Sequence, residues 1–184
     1  MLKTEKTLLI IGCGGHARFV ISMAQSNTYT IKGLIYFGSD FDPDEYVMGH
    51  PVIGHFETLS QFSDKGQIRI LIAVGDNSHR KTLYEEIKSL DFIFPTIIHP
   101  TAFVDRSATI GQGTIIGPNA VIGAEVIIGT NTIVNSSAII EHQSVVGNHC
   151  HIAPGATVCG KVKIGDLVLL GANSTVMPNI EIAN

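Results

Sequence analysis

From Ile98 to Ile182 a branched apolar residue recurs at every sixth position: Ile98, Val104, Ile110, Ile116, Ile122, Ile128, Val134, Ile140, Val146, Ile152, Val158, Ile164, Leu170, Val176 and Ile182. Small residues often follow four positions later, as at Ala102, Ala108, Ala120, Ala138, Ser144 and Ala156. Gly often follows directly, as at Gly111, Gly117, Gly123, Gly129, Gly147, Gly165 and Gly171. A period of six fits neither an amphipathic helix nor an alternating strand. It is the signature of a parallel β-helix, in which each unit makes one short strand and one corner and three units close a triangular coil. Eighteen residues then make one turn, and the branched side chains stack inward at about the 4.8 Å spacing of neighbouring strands. Small residues fit the interior near the corners, and Gly or Asn is expected to supply the unusual φ values there. An antiparallel sandwich would need period-two alternation and variable turns instead.

Before Ile98 the pattern alternates between strand and helix. Thr7 to Ile11 predicts a buried strand, Gly12-Cys13-Gly14-Gly15 a tight turn, and His16 to Ser26 a helix with Val20, Ile21 and Ala24 on one face. Ile31 to Tyr36 reads as a second strand, Asp40 to Glu45 as polar loop and Phe56 to Phe62 as a short helix. Ile68 to Val74 predicts a third strand, Ser78 to Leu90 a helix, and Phe92 to Thr96 a last strand. The expected architecture is an α/β Rossmann-like domain over residues 1–97 followed by a β-helix over 98–184.

Composition narrows the function. The 184 residues are 45% hydrophobic, enough for a buried core, and carry only 12 Lys plus Arg and a net charge of −4, which argues against nucleic acid as partner. Three scattered cysteines, Cys13, Cys150 and Cys159, form no disulfide framework, and their odd count fits a reducing, cytoplasmic compartment. The first apolar run, Leu8 to Ile11, is preceded by Lys3, Glu5 and Lys6 and is too short for a signal sequence or a membrane span.

Two places could carry chemistry. Glycines after the first strand let backbone amides approach a phosphate at a helix N-terminus, although Gly12-Cys13-Gly14-Gly15 puts Ala17 at the third glycine position of the dinucleotide fingerprint. No acid stands about 20 residues on to hold a ribose. The second place is the cluster Glu141, His142, His149, Cys150, His151 and Cys159. Cys150 holds the small inward position, a buried filler. Gly160, eighteen residues after His142, would leave room for a ligand above that histidine. His151 lies half a coil from His142, so the two can meet only across a subunit interface. A zinc site from His149, Cys150, His151 and His142 is the rival reading, but alternation sends neighbours to opposite faces and the spacing matches no Cys/His finger.

Taken together, Gly12-Cys-Gly-Gly-His16, Ala73-Val-Gly-Asp-Asn77 with Arg80, His99-Pro100 and Asn135-Ser-Ser-Ala-Ile-Ile-Glu-His142 resemble the sugar O- and N-acetyltransferases of the hexapeptide-repeat acyltransferases, across essentially the whole chain. The resemblance implies a left-handed coil and a homotrimer, reinforced by apolar outward positions such as Ile115, Ile127 and Ile133. It implies acetyl-CoA as co-substrate, no metal, and a nucleotide-sugar held by Gly12, Gly14, Gly15, His16, Asp76, Asn77 and Arg80. His142 is implied as general base beside Glu141 and Gln143, with His151, Gly160, Ala172 and Asn135 on the acetyl-CoA side. Three features depart from the family pattern: Phe37-Gly38, with Asp40 nearby, stands where paired acids often follow the second strand. Gln143 stands where some members have a carboxylate, and the chain ends at Asn184, before the coils that normally close the β-helix, so that either the chain is truncated or its acetyl-CoA site is incomplete. The expected reaction is N-acetylation of a nucleotide-linked amino-deoxy sugar of the 4-amino-4,6-dideoxy type for surface glycans. O-acetylation of sialic acid or another sugar is the alternative enzyme, and an inactive ligand-binding scaffold the alternative outside enzymes.

Overall fold

A computed structural model describes residues 6–38, 42, 44–63 and 65–183, so that Lys3, Glu5, Asp40 and Asn184 lie outside the described residues. The chain divides into two compact units, Met1–Pro95 and Thr96–Asn184.

In the first unit, β1 (Thr7–Ile11), α1 (Gly15–Ser26), β2 (Thr30–Tyr36), β3 (Tyr46–Val47), β4 (His50–His55), β5 (Arg69–Ile72) and α2 (Asn77–Lys88) follow in chain order, with a 3-10 turn at Phe56–Gln61. The sheet order is β3-β4-β2-β1-β5. β4, β2, β1 and β5 run parallel, and β3 pairs antiparallel with β4 at the edge. Leu8 to Ile11 have no exposed surface, as a central strand covered on both faces requires.

Two elements differ from the sequence expectation. The hairpin of β3 and β4 carries little periodicity, because His50-Pro-Val-Ile-Gly-His55 interrupts its apolar residues with Pro51 and Gly54. Its two-residue turn has positive φ at both Met48 (49°) and Gly49 (80°), the geometry that matches strand twist. Phe92 to Thr96 makes no strand. Ile93 contributes a single bridge to Arg69, while Phe92 and Phe94 turn into the core.

In the second unit fifteen two-residue strands begin every six residues, from Ile97–Ile98 to Glu181–Ile182. They stack into three five-stranded parallel sheets, the faces of a left-handed β-helix. The first face carries Ile97–Ile98, Ile115–Ile116, Ile133–Val134, His151–Ile152 and Leu169–Leu170. The second begins at Phe103–Val104 and includes Ile139–Ile140 and Thr157–Val158. The third begins at Thr109–Ile110 and includes Ile127–Ile128, Val145–Val146 and Lys163–Ile164. Every register step is eighteen residues, such as Ile133 on His151, and the branched series of the sequence faces one continuous core.

The corners correct one expectation. Positive φ falls three residues after each inward branched residue from Ile110 to Val176, at Gly113, Asn119, Glu125, Asn131, Ser137, Gln143, His149, Gly155, Lys161, Leu167, Asn173 and Asn179. Ten of these twelve are not glycine. The glycines directly after the branched positions serve a different need. A Cβ on Gly111, Gly129 or Gly147 would come within 2.6 Å of the backbone one coil on, so glycine permits close approach of the coils.

A polar column runs through the coil beside the first face. Thr96, Thr114 and Thr132 each donate a hydroxyl to the carbonyl fifteen residues on, at 2.8–2.9 Å. Cys150 takes the next place. Its thiol donates to the Gly165 carbonyl at 3.0 Å, and its N–H donates to the Thr132 hydroxyl at 3.1 Å. Cys150 is therefore a buried filler that also satisfies a carbonyl.

Candidate active site

The order of the first sheet creates a switch point: from β1 the chain passes to β2 on one side and later to β5 on the other. Ligands of open parallel sheets bind in the crevice at the carboxyl ends of such strands. Gly12, at φ +110°, lies where a Cβ would meet the Ala73 carbonyl at 3.0 Å and the Phe37 ring at 3.2 Å, so both the backbone conformation and the close approach require glycine. Gly14 is the N-cap of α1, whose first turn carries no acid. Cβ atoms on Gly14 or Gly15 would meet nothing within 4 Å, so the amides at this helix end stand open to an anion. His16 follows in the first turn, its ring 5.4 Å from that of Phe19.

Across the crevice, Asp76 caps α2 by accepting from the His79 N–H at 2.7 Å. Arg80 is 1% exposed. Its guanidinium donates to the carbonyls of Val74 and Gly75, both at 3.1 Å, and to Asn77 Oδ1 at 2.8 Å. Asp76, Asn77 and Arg80 thus shape the loop after β5 and leave a buried cation beneath it. Beside the glycines, burial first and the Glu45 charge second push the Cys13 thiol up to about 11. At pH 8 Cys13 is then held almost entirely as the neutral thiol. Iodoacetamide is expected to label Cys13 slowly there, with a rate that climbs toward pH 11, followed by peptide mass spectrometry.

On the β-helix, Glu141, His142 and Gln143 form the corner between the second and third faces, and all three are exposed. A Cβ on Gly160 would lie 2.7 Å from both Cε1 and Nε2 of His142. The imidazole therefore lies against Gly160 and takes part of the room above His142 that this glycine leaves. Gln143 takes the positive-φ place, at 61°, and its amide donates to Glu125 Oε2 of the preceding coil at 3.0 Å.

His151 lies on the first face, 3.2 Å from Asn135 Nδ2 through its Nε2. Asn135 Oδ1 already accepts the Ser136 N–H at 2.8 Å, which fixes the amide with its NH₂ toward the histidine. In the neutral ring Nε2 is then the acceptor and Nδ1 carries the proton. Ala172 is exposed in the corner that follows Leu169–Leu170. The corner bearing His142 lies opposite the first face of the prism, so His142 and His151 of one subunit stay apart.

His149 is not a solvated surface residue. It is 5% exposed, sits at a positive-φ corner and contacts Asn131 through Nδ1 at 3.0 Å. With Cys150 turned inward and His151 engaged by Asn135, these neighbours point to different partners. Among the described residues no group of three or more His, Cys, Asp or Glu converges on one point. Of the outward apolar positions, Ile127 is 49% exposed, whereas Ile115 and Ile133 are buried in the single chain.

The comparisons with known proteins follow the two units. Residues 7–87 match the PglD N-terminal domain and residues 93–184 the GMPPB C-terminal domain. UDP-N-acetylbacillosamine N-acetyltransferase of Bacillus subtilis is 32% identical over 113 residues, 59% of this chain and 50% of that protein. The match thus spans half the length of this curated relative. Among solved structures, the acetyltransferase domain of PglB from Neisseria gonorrhoeae, in complex with acetyl coenzyme A, superposes with a TM-score of 0.87 at 31% identity, covering 98% of this chain and 86% of that one. PerB from Caulobacter crescentus, in complex with CoA and GDP-perosamine, gives a TM-score of 0.82 at 28% identity, covering 96% and 91%. Period, fold and relatives agree over both units, and the chain belongs to the hexapeptide-repeat acyltransferase family.

Proposed function

We propose that this chain transfers the acetyl group of acetyl-CoA to the amine of a nucleotide-linked amino-deoxy sugar of the 4-amino-4,6-dideoxy type, as a cytoplasmic step of surface-glycan synthesis. The observation that carries the reading is the exposed His142 imidazole held against Gly160, next to Glu141, in a chain similar to UDP-N-acetylbacillosamine N-acetyltransferase and to PerB, the latter solved with CoA and GDP-perosamine. A sugar amine is largely protonated near neutral pH and attacks a thioester only after losing a proton, a task suited to an imidazole. The ammonium first releases one proton to solvent; as the neutral amine nitrogen then bonds to the thioester carbon, His142 takes a second proton from that nitrogen, and the carbon–sulfur bond breaks. CoA leaves as the thiol once the proton is returned to sulfur. The carbonyl oxygen becomes negative on the way and calls for a fixed donor, for which the Nδ1–H of His151 from a neighbouring subunit or the Gly160 amide is suited. Acetyl-CoA lies along Gly160, Ala172, Asn135 and His151, and no metal takes part.

This arrangement requires more than one subunit, because His142 and His151 meet only between subunits, and the proposed assembly is a homotrimer. A monomer by light scattering at micromolar concentration contradicts it. Gly12, Gly14, Gly15 and His16 hold the nucleotide-sugar, with Asp76, Asn77 and Arg80 shaping the far wall. Gly14→Val tests that assignment. Its side chain meets no protein atom within 4 Å and no positive φ, so the fold accepts it, yet it enters the space the phosphates need. Calorimetry is expected to show weaker nucleotide-sugar binding with acetyl-CoA binding intact. Equal loss of both ligands, or of neither, contradicts the assignment.

A further inference from the structure

The crevice of the first unit holds an aromatic pair to which the phosphate-binding glycines assign no task. Phe37 follows the last residue of β2, and its ring meets that of His79, in the first turn of α2, edge to face at a centroid distance of 4.8 Å. In the sheet β1 lies between β2 and β5, so this contact bridges over the end of β1. The would-be Cβ of Gly12, 3.2 Å from the Phe37 ring, marks where the bridge crosses. Phe37 is half-buried, packed from beneath on the core of the unit, and His79 is exposed. The segment is also pinned from behind. His55, whose Nδ1 pairs with Glu57, donates its Nε2–H to the Gly38 carbonyl at 2.7 Å. The pair is thus a prebuilt aromatic surface at the end of β2, where sheets of this kind otherwise place an acid that holds a ribose hydroxyl.

We propose that Phe37, backed by His79, is the platform on which the nucleobase of the nucleotide-sugar stacks. The site then reads the base by its π-face and not by its pattern of donors and acceptors. The inference rests on the nucleotide-sugar reading above and adds the determinant of base selectivity. Every base has a π-face, so recognition by stacking tolerates exchange of the base, whereas carboxylate contacts to a base edge do not.

Calorimetry with UDP, GDP and inorganic pyrophosphate as probes tests it. Phe37→Leu keeps the apolar packing and removes the π-face. It is expected to weaken UDP and GDP by similar factors, about tenfold to a hundredfold, and to leave pyrophosphate unchanged. The sequence contains no tryptophan, so Phe37→Trp gives a sole reporter. It should retain nucleotide affinity, and its fluorescence should be quenched by UDP and GDP but not by pyrophosphate. The platform is overturned if Phe37→Leu binds both nucleotides like the wild type, or loses pyrophosphate by the same factor, which would make Phe37 a support of the phosphate loop alone. Wild-type protein that binds neither nucleotide removes the nucleotide-sugar reading and the platform with it. Wild-type protein that binds both, alongside an unaffected Phe37→Leu, removes only the platform.

Discussion

His142→Ala is expected to lower kcat by about 10² to 10⁴, the usual contribution of a positioned general base, while changing thermal stability little. Stability should hold because the ring is exposed and its close neighbour is the Cα of Gly160, which loses a contact but gains no clash. The corner itself is held by backbone bonds that survive the change, such as Lys161 N–H to the His142 carbonyl at 3.0 Å. Rising pH should partly rescue the variant, since more of the attacking amine is then already deprotonated. The expected record is a pH–rate profile in which the gap between wild type and variant narrows toward high pH. Near-normal turnover of the variant at neutral pH means that His142 is not the base.

Gly147→Val is expected to destabilise the β-helix by about 3 kcal/mol, the upper part of the usual overpacking range. A Cβ on Gly147 would lie 2.6 Å from both the carbonyl carbon and the oxygen of Gly165, and neither can retreat without opening the coil. A unit of this size should then melt roughly 10 °C lower or more. Gly113→Asn is the matched control. Gly113 occupies a positive-φ corner, at 71°, where Asn119, Asn131, Asn173 and Asn179 stand in other coils, and the change should be nearly neutral. Calorimetric scans that lower both variants alike would mean that conformation, and not coil approach, selects these glycines.

The contrast between these two variants indicates what the sequence could and could not reveal. A coil that repeats every eighteen residues prints its core directly as a six-residue period, so strand positions, register and inward side chains were all legible. The corner conformation was not. Placing Leu167, Lys161 or Glu125 at positive φ costs about 1–2 kcal/mol each by local preference, and only the stacked bonds of neighbouring coils hold them there. The hairpin of β3 and β4 was hidden for a related reason: β3 has only two residues, and Pro51 and Gly54 break the apolar pattern of β4.

The site was legible in the same uneven way. His142 and Gly160 are one coil apart, so their stacking follows from the period, though not the fact that the imidazole lies against the glycine. Asn135 and His151 are sixteen residues apart, a diagonal across two coils that the period does not single out. The same holds for Gln143, whose bond to Glu125 shows only once the corner side chains are placed. Arg80 was expected on the nucleotide-sugar from the family resemblance alone, and its burial in α2 beneath the carbonyls of Val74 and Gly75 is a tertiary fact. The Phe37–His79 contact joins residues that only the sheet order brings together.

The central reaction is acetyl transfer to an amine. It is tested most directly by incubating the wild-type protein with acetyl-CoA and an equimolar pair of nucleotide-sugars, one with a 4-amino group and one with a 4-hydroxyl, and identifying the products by mass spectrometry. The predicted result is CoA release matched by acetamide formation on the amino sugar alone. Acetyl ester on the hydroxyl sugar, or no consumption of acetyl-CoA with UDP-, GDP- and CMP-linked pairs, would contradict it.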